Sequence, residues 1–132
     1  MEIQRKGYVL PVSKELVDVL TRVIKNSGKN GEKALCLNFR DPGYSPENGG
    51  FHPVEVMLSG DGVIQYITDF AYVGYPAELV KEIDFDFAAG VFQHFGEERF
   101  IGHSHTFFNL WQFNFCTYYK MGVFNVTVEE VM

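Results

Sequence analysis

The chain has 132 residues, 46% of them hydrophobic and 21% charged, with a formal net charge of −6. That length fits a single domain, 1–132, with enough core to need neither disulfide nor metal as a staple. The acidic balance argues against nucleic acid as a partner, because phosphate binding draws on Lys and Arg.

The charge is unevenly spread: residues 1–40 carry a net +4 and residues 41–132 a net −10. An acidic majority leaves room for a basic protein partner or a cation. Aromatics make up 16% of the chain, with 13 Phe, which predicts a Phe-rich core. Cys36 and Cys116 sit in apolar contexts far apart and read as free buried thiols. No charged-then-apolar leader opens the chain, and no apolar run approaches the roughly 18 residues of a membrane span. A cytoplasmic protein without a membrane partner is therefore expected, and the sequon Asn125-Val126-Thr127 carries no weight.

Tyr8–Val12 reads as extended chain. A helix then begins at Ser13, a good N-cap, with Glu15 in its first turn. Leu16, Val19, Leu20, Val23 and Ile24 form an apolar stripe at three- and four-residue spacing, and Gly28 suits the C-terminal stop. A turn follows at Lys29-Asn30-Gly31-Glu32, without the spacing of a phosphate loop. Lys33–Phe39 alternates as a half-buried strand, with Leu35, Leu37 and Phe39 on one face. A long polar loop separates it from Pro53–Ser59, which alternates through Val54, Val56 and Leu58. Gly60-Asp61-Gly62 signals a hairpin into Val63–Val73. On that strand Ile64, Tyr66, Phe70 and Tyr72 are expected on one face, with Ile67, Asp69 and Ala71 on the other. Gly74-Tyr75-Pro76 breaks the chain, and a short helical turn is expected over Ala77–Lys81. Ile83, Phe85 and Phe87 alternate with Asp84 and Asp86, which read as the wet side of a strand. Ala88-Ala89-Gly90 turns into Val91–Phe95, and Gly96–Gly102 reads as a polar loop. A second helix, about Ser104 to Met121, is apolar enough to predict burial over most of its girth. Gly122 stops it, and Val123–Glu130 closes as a strand with Phe124, Val126 and Val128 inward.

Short turns between consecutive strands demand antiparallel pairing. The expected class is α+β: an antiparallel twisted sheet of about six strands with an N-terminal and a C-terminal helix packed on it.

The run Leu37-Asn38-Phe39-Arg40-Asp41-Pro42, then Tyr44-Ser45, Glu47-Asn48-Gly49-Gly50 and His52-Pro53-Val54-Glu55, resembles a small bacterial family of unknown function carried on mobile islands. Tyr66-Ile67-Thr68-Asp69-Phe70-Ala71-Tyr72, Leu110-Trp111-Gln112 through Tyr119, and Met121 through Val128 fit it as well. The resemblance spans roughly residues 33–128. It implies an architecture similar to the mitochondrial acidic matrix, complement-binding proteins: an antiparallel sheet flanked by helices, non-enzymatic, binding other proteins. It brings no catalytic residues, and fold likeness alone does not assign function.

Three constellations carry candidate chemistry. The loop from Arg40 to Phe51 exceeds ordinary connection length, so it is the functional address, with Arg40, Asp41, Tyr44, Phe51, His52, Asp69, Tyr72 and Tyr75 as candidate binding residues. Asp69 lies on an apolar strand face and needs a partner, for which Arg40 is expected. His103-Ser104-His105 has the form of a metal pair and would require a third ligand such as His52, Asp69 or Glu55. Solvated histidines before a helix are the simpler reading. No GxSxG, HExxH or CxxC motif occurs, and no cofactor is implied. The expected function is a non-catalytic protein-binding module using loop 40–52 and nearby aromatics, with a basic partner favoured. A metal-dependent hydrolase on His52, His103 and His105 is the alternative, and a homo-oligomer is left open.

Overall fold

The computed structural model describes residues 1–29 and 31–131. Asn30, in the expected turn after the first helix, lies outside the described residues. The elements run α1 (Lys14–Ser27), β1 (Ala34–Arg40), β2 (Val54–Leu58), β3 (Ile64–Val73), β4 (Glu78–Asp86), β5 (Val91–His94), β6 (Glu97–Phe100), a 3₁₀ turn (Ile101–Ser104), α2 (His105–Lys120) and β7 (Asn125–Val131). The seven strands form one antiparallel sheet in the order β6-β5-β4-β3-β2-β1-β7. Five antiparallel connections lay β1 to β6 side by side, while α2 carries the chain back to pair β7 with β1. No helix among the described residues is long and apolar enough to cross a membrane.

Local chemistry sets the helix ends. Ser13 Oγ accepts from the Leu16 amide, and Gly28 closes α1 with φ 76°, a left-handed backbone that only glycine adopts without a Cβ penalty. The apolar stripe of α1 is buried along its whole length. It packs, with Phe108, Trp111 and Phe115 of α2, on the sheet face formed by Leu35, Leu37, Phe39, Val56, Ile67 and Phe85. Gln112 is buried among these apolar groups and ties the two helices together: its Oε1 accepts from the Ser13 amide, and its Nε2 donates to the Pro11 carbonyl. Both cysteines are free and buried, and burial pushes each thiol up to about 11.

Several expectations are corrected. The region Ala77–Lys81 is not helical, because Glu78–Lys81 extends β4 along the outer half of β3. Glu97–Phe100 is an additional strand, β6, rather than loop, paired to β5 through four exposed positions. Ile64 is buried with Ile67 rather than sharing a face with Tyr66, because a bulge between Met57 and Leu58 shifts the β2–β3 register. The second helix is buried on one side only: Leu110 and Phe113 are 61% and 70% exposed. Asp84 lies on the sheet face opposite Ile83 and Phe85, as expected, but is not itself solvated. It is buried, accepts from Thr68 Oγ1 at 2.8 Å, and has its pKa raised by burial.

Candidate functional site

Loop 41–53 is a folded structure. Asp41 organises it: Oδ1 accepts from the Gly43 amide at 2.9 Å, and Oδ2 accepts from the Phe51 amide at 3.0 Å, ten residues on. Ser45 and Gly49 exchange backbone hydrogen bonds, and Ser45 Oγ accepts from the Asn48 amide. Gly50 has φ 131°, and a Cβ there would lie 2.7 Å from Asp41 Oδ2, so the turn back toward the sheet needs glycine. Tyr44 fastens the loop to β3. Its hydroxyl accepts from the Tyr72 amide at 3.0 Å, and the two rings stack at 5.2 Å. Asp41→Ala removes the acceptor of two backbone amides and is expected to loosen the loop locally by about 1–2 kcal/mol, from two ordinary hydrogen bonds. Hydrogen exchange at the Phe51 amide is the measurement, and unchanged protection there would contradict the bracing role of Asp41.

The loop ends at His52, whose ring enters the edge of a cleft between the sheet and α2. The cleft has a volume of about 340 Å³ and is walled by Phe51, Trp111, Phe115, Tyr118 and Phe124. Phe51 packs on Tyr118 at 4.7 Å, and Trp111 stacks on Phe115 at 5.1 Å. Its imidazole and carboxylate groups come from the loop, β3 and β4. His52 Nδ1 lies 2.9 Å from Asp69 Oδ1 and 2.9 Å from Glu82 Oε2. Trp111 Nε1 donates to the other Asp69 oxygen at 2.9 Å, in buried surroundings. The hydrogen bond to Asp69 raises the His52 pKa, burial opposes it, and the charges of Asp69 and Glu82 add to the rise.

Glu82 reaches this group through a bulge. Asp69 of β3 pairs with Ile83 and Phe70 with Lys81, which leaves Glu82 as the extra residue of β4. A bulge breaks strict alternation, so Glu82 and its neighbour Ile83 both line the cleft.

Residues 14–129 match the family described as "Protein of unknown function (DUF2787)". The chain belongs to that family. Two solved structures from Vibrio cholerae are similar to it over nearly their whole length. One is a hypothetical protein of the VSP-II pathogenicity island, 34% identical, covering 96% of this chain and 99% of its own, with a TM-score of 0.82. The other is a conserved hypothetical protein of pathogenicity island VPI-2, described as sharing structural homology with the human P32 protein. It is 36% identical, covers 94% of this chain and 98% of its own, and has a TM-score of 0.81. No curated protein gives a significant match. The family resemblance read from the motifs is thereby confirmed, and the fold homology to human P32 is described for the second of these structures.

Of the residues singled out by sequence, His52 and Asp69 are in direct contact, Phe51 lines the same cleft, and Tyr44 and Tyr72 brace it. Asp41 holds the loop from within. Tyr75 stands fully exposed at the tip of the β3–β4 hairpin and takes no part in the cleft. Arg40 is exposed and makes no ion pair among the described residues. It follows Phe39, which points into the core, so alternation turns Arg40 to the opposite face from Asp69. The expected Arg40–Asp69 tie is replaced by His52 and Trp111. His103 packs against Phe100, and His105 lies beside Asn109 at the start of α2. Among the described residues, the group of three metal-capable side chains is His52, Asp69 and Glu82, without His103 or His105. The hydrolase ligand set on His52, His103 and His105 is therefore not assembled.

Proposed function

We propose that this protein is a non-catalytic protein-binding module whose recognition site is the aromatic cleft framed by loop 41–53 and α2. The observation that carries the reading is a braced loop beside a cleft of about 340 Å³ with five aromatic walls. Aromatic side chains on a fixed frame give large contact area at low ordering cost, which suits an anchoring pocket for a partner's side chain. The net charge of −6 steers a basic partner toward the surface.

Trp111 is the single tryptophan of the chain and lines this cleft, so its fluorescence reports occupancy. A displayed random-peptide library selected on the full chain should enrich sequences with an aromatic or aliphatic anchor flanked by Lys or Arg. Those peptides should shift Trp111 emission. Phe51→Ala and Tyr118→Ala should each weaken them by roughly tenfold or more, as truncation of a central aromatic contact does. Enriched peptides that bind both variants as well as the parent would overturn the assignment of the cleft.

A further inference from the structure

The three polar side chains at the cleft edge present a hydrogen-bonding problem. His52 Nδ1 lies at hydrogen-bond distance from one oxygen of Asp69 and one of Glu82. A ring nitrogen carries one hydrogen at most, and one N–H cannot point well at two carboxylates at once. Asp69 Oδ2 is already taken by the Trp111 N–H, which fixes the carboxylate with Oδ1 facing His52 and Glu82. A single point therefore gathers one imidazole nitrogen and two carboxylate oxygens, all within 4.8 Å of one another. One proton serves such a group poorly, whereas a cation that coordinates all three serves it well.

We propose that His52, Asp69 and Glu82 form a binding site for one zinc-type divalent cation. The donor set is mixed nitrogen and oxygen. Imidazole selects first-row transition ions such as zinc over magnesium or calcium, and Asp and Glu oxygens complete zinc sites. Tetrahedral ligands around zinc stand about 3.3–3.5 Å apart. From the 2.9 Å contacts here, the side chains need open outward by only a few tenths of an ångström. Two carboxylates and a neutral imidazole protonated only at Nε2 carry a formal charge of −2, which a divalent ion bound at Nδ1 cancels. The indole N–H of Trp111 supplies the outer hydrogen bond that orients a ligating carboxylate. All three ligands line the cleft, so a fourth position on that side would give the ion its entry path and leave room for a water molecule or a partner's donor atom. The three ligands come from the end of the loop, from β3 and from the β4 bulge, so the ion would clamp the loop to the sheet at the mouth of the recognition site.

The test uses the full chain after EDTA treatment and desalting, titrated with zinc chloride at pH 7 by calorimetry and by Trp111 fluorescence. The expected result is saturable binding of one zinc per chain, a change in Trp111 emission, and a melting temperature that climbs with zinc concentration. His52→Gln and Glu82→Gln should each weaken zinc by roughly a hundredfold or more, and Trp111→Phe, followed by calorimetry, by about tenfold as an outer-sphere loss. Glu82 is only half-buried, so Glu82→Gln is expected to keep a cooperative melt and to stand as the second variant if His52→Gln unfolds. The double variant His103→Gln/His105→Gln should bind zinc like the parent. Absence of saturable zinc binding, binding unchanged in Glu82→Gln, or binding lost in the His103/His105 variant would each overturn the proposal. So would magnesium binding at least as tightly as zinc. Peptide recognition is read on metal-free protein, so either result can fail without the other.

Discussion

Phe85→Ala is expected to lower the stability of this protein by about 3–5 kcal/mol, the range for emptying a fully buried aromatic site. Phe85 sits at 0% exposure near the C-terminal end of β4, directly across from Ile67 on β3. Its ring stacks on Phe92 of β5 at 5.3 Å and meets Phe108 edge-on at 4.9 Å. Trp111, one helical turn further along α2, closes the cluster at 5.7 Å. The side chain thus joins the far strands of the sheet to α2, and truncation leaves a void lined by stiff rings that cannot collapse into it. For a chain of this length the loss corresponds to a fall in Tm of roughly 10–20 °C. Phe85→Leu keeps most of the volume and should cost about 1–2 kcal/mol, from the apolar area no longer covered. Urea unfolding followed by circular dichroism measures both. A Phe85→Ala loss below about 1.5 kcal/mol would mean that the cluster relaxes freely and does not hold the sheet to the helix.

The parts of the fold that were legible in the sequence are those whose local signal and tertiary environment agree. Ser13, the Leu16–Ile24 stripe and Gly28 specify α1 without reference to the rest of the chain. Leu35, Leu37 and Phe39 alternate because β1 has a helix-covered face, and the same holds for Val54, Val56 and Leu58 in β2. β6 and the first half of β4 lack that covered face. Glu97–Phe100 is exposed at every position, and Glu78 and Leu79 are exposed as well, so nothing alternates. Such segments become strands only through pairing with a neighbour, which composition does not record. The buried girth of α2 is smaller than its composition suggests for a related reason. Its apolar residues Leu110 and Phe113 face outward, and apolar composition alone does not distinguish a covered face from an open one.

The candidate site was half legible. Asp69 stood out because period-two alternation put a carboxylate between Ile67 and Ala71, and a buried carboxylate requires partners. Loop length and aromatic content drew attention to Tyr44, Phe51 and His52. Two contributors were hidden. Glu82 enters the cleft only because β4 carries an extra residue there, and a bulge leaves no mark in a sequence such as Lys81-Glu82-Ile83-Asp84. Trp111 lies 42 residues from Asp69 and reads as one more apolar residue of an aromatic helix. A buried indole does need an acceptor, and that requirement could have directed attention from Trp111 to the chain's buried acids.

That indole makes Asp69 the most consequential polar residue of the fold. Asp69→Ala is expected to cost about 2–4 kcal/mol, because it strands one buried donor and removes the carboxylate facing His52. Trp111 is 8% exposed, so its N–H has little access to water once Asp69 Oδ2 is gone. His52 retains Glu82 at 2.9 Å, so that end of the loop keeps one anchor while α2 loses its polar tie to β3. Asp69→Asn separates the two effects. The amide oxygen still accepts from the indole, while the amide nitrogen replaces the carboxylate oxygen beside His52. If the Trp111 hydrogen bond dominates, Asp69→Asn should recover at least half of the Asp69→Ala loss, and Trp111 emission should remain close to that of the parent. If the charge pairing with His52 dominates, the two variants should be equally unstable. Denaturant unfolding with Trp111 fluorescence gives both readings in one experiment, and an Asp69→Ala loss under about 1 kcal/mol would show that water replaces the carboxylate and that the indole does not depend on it.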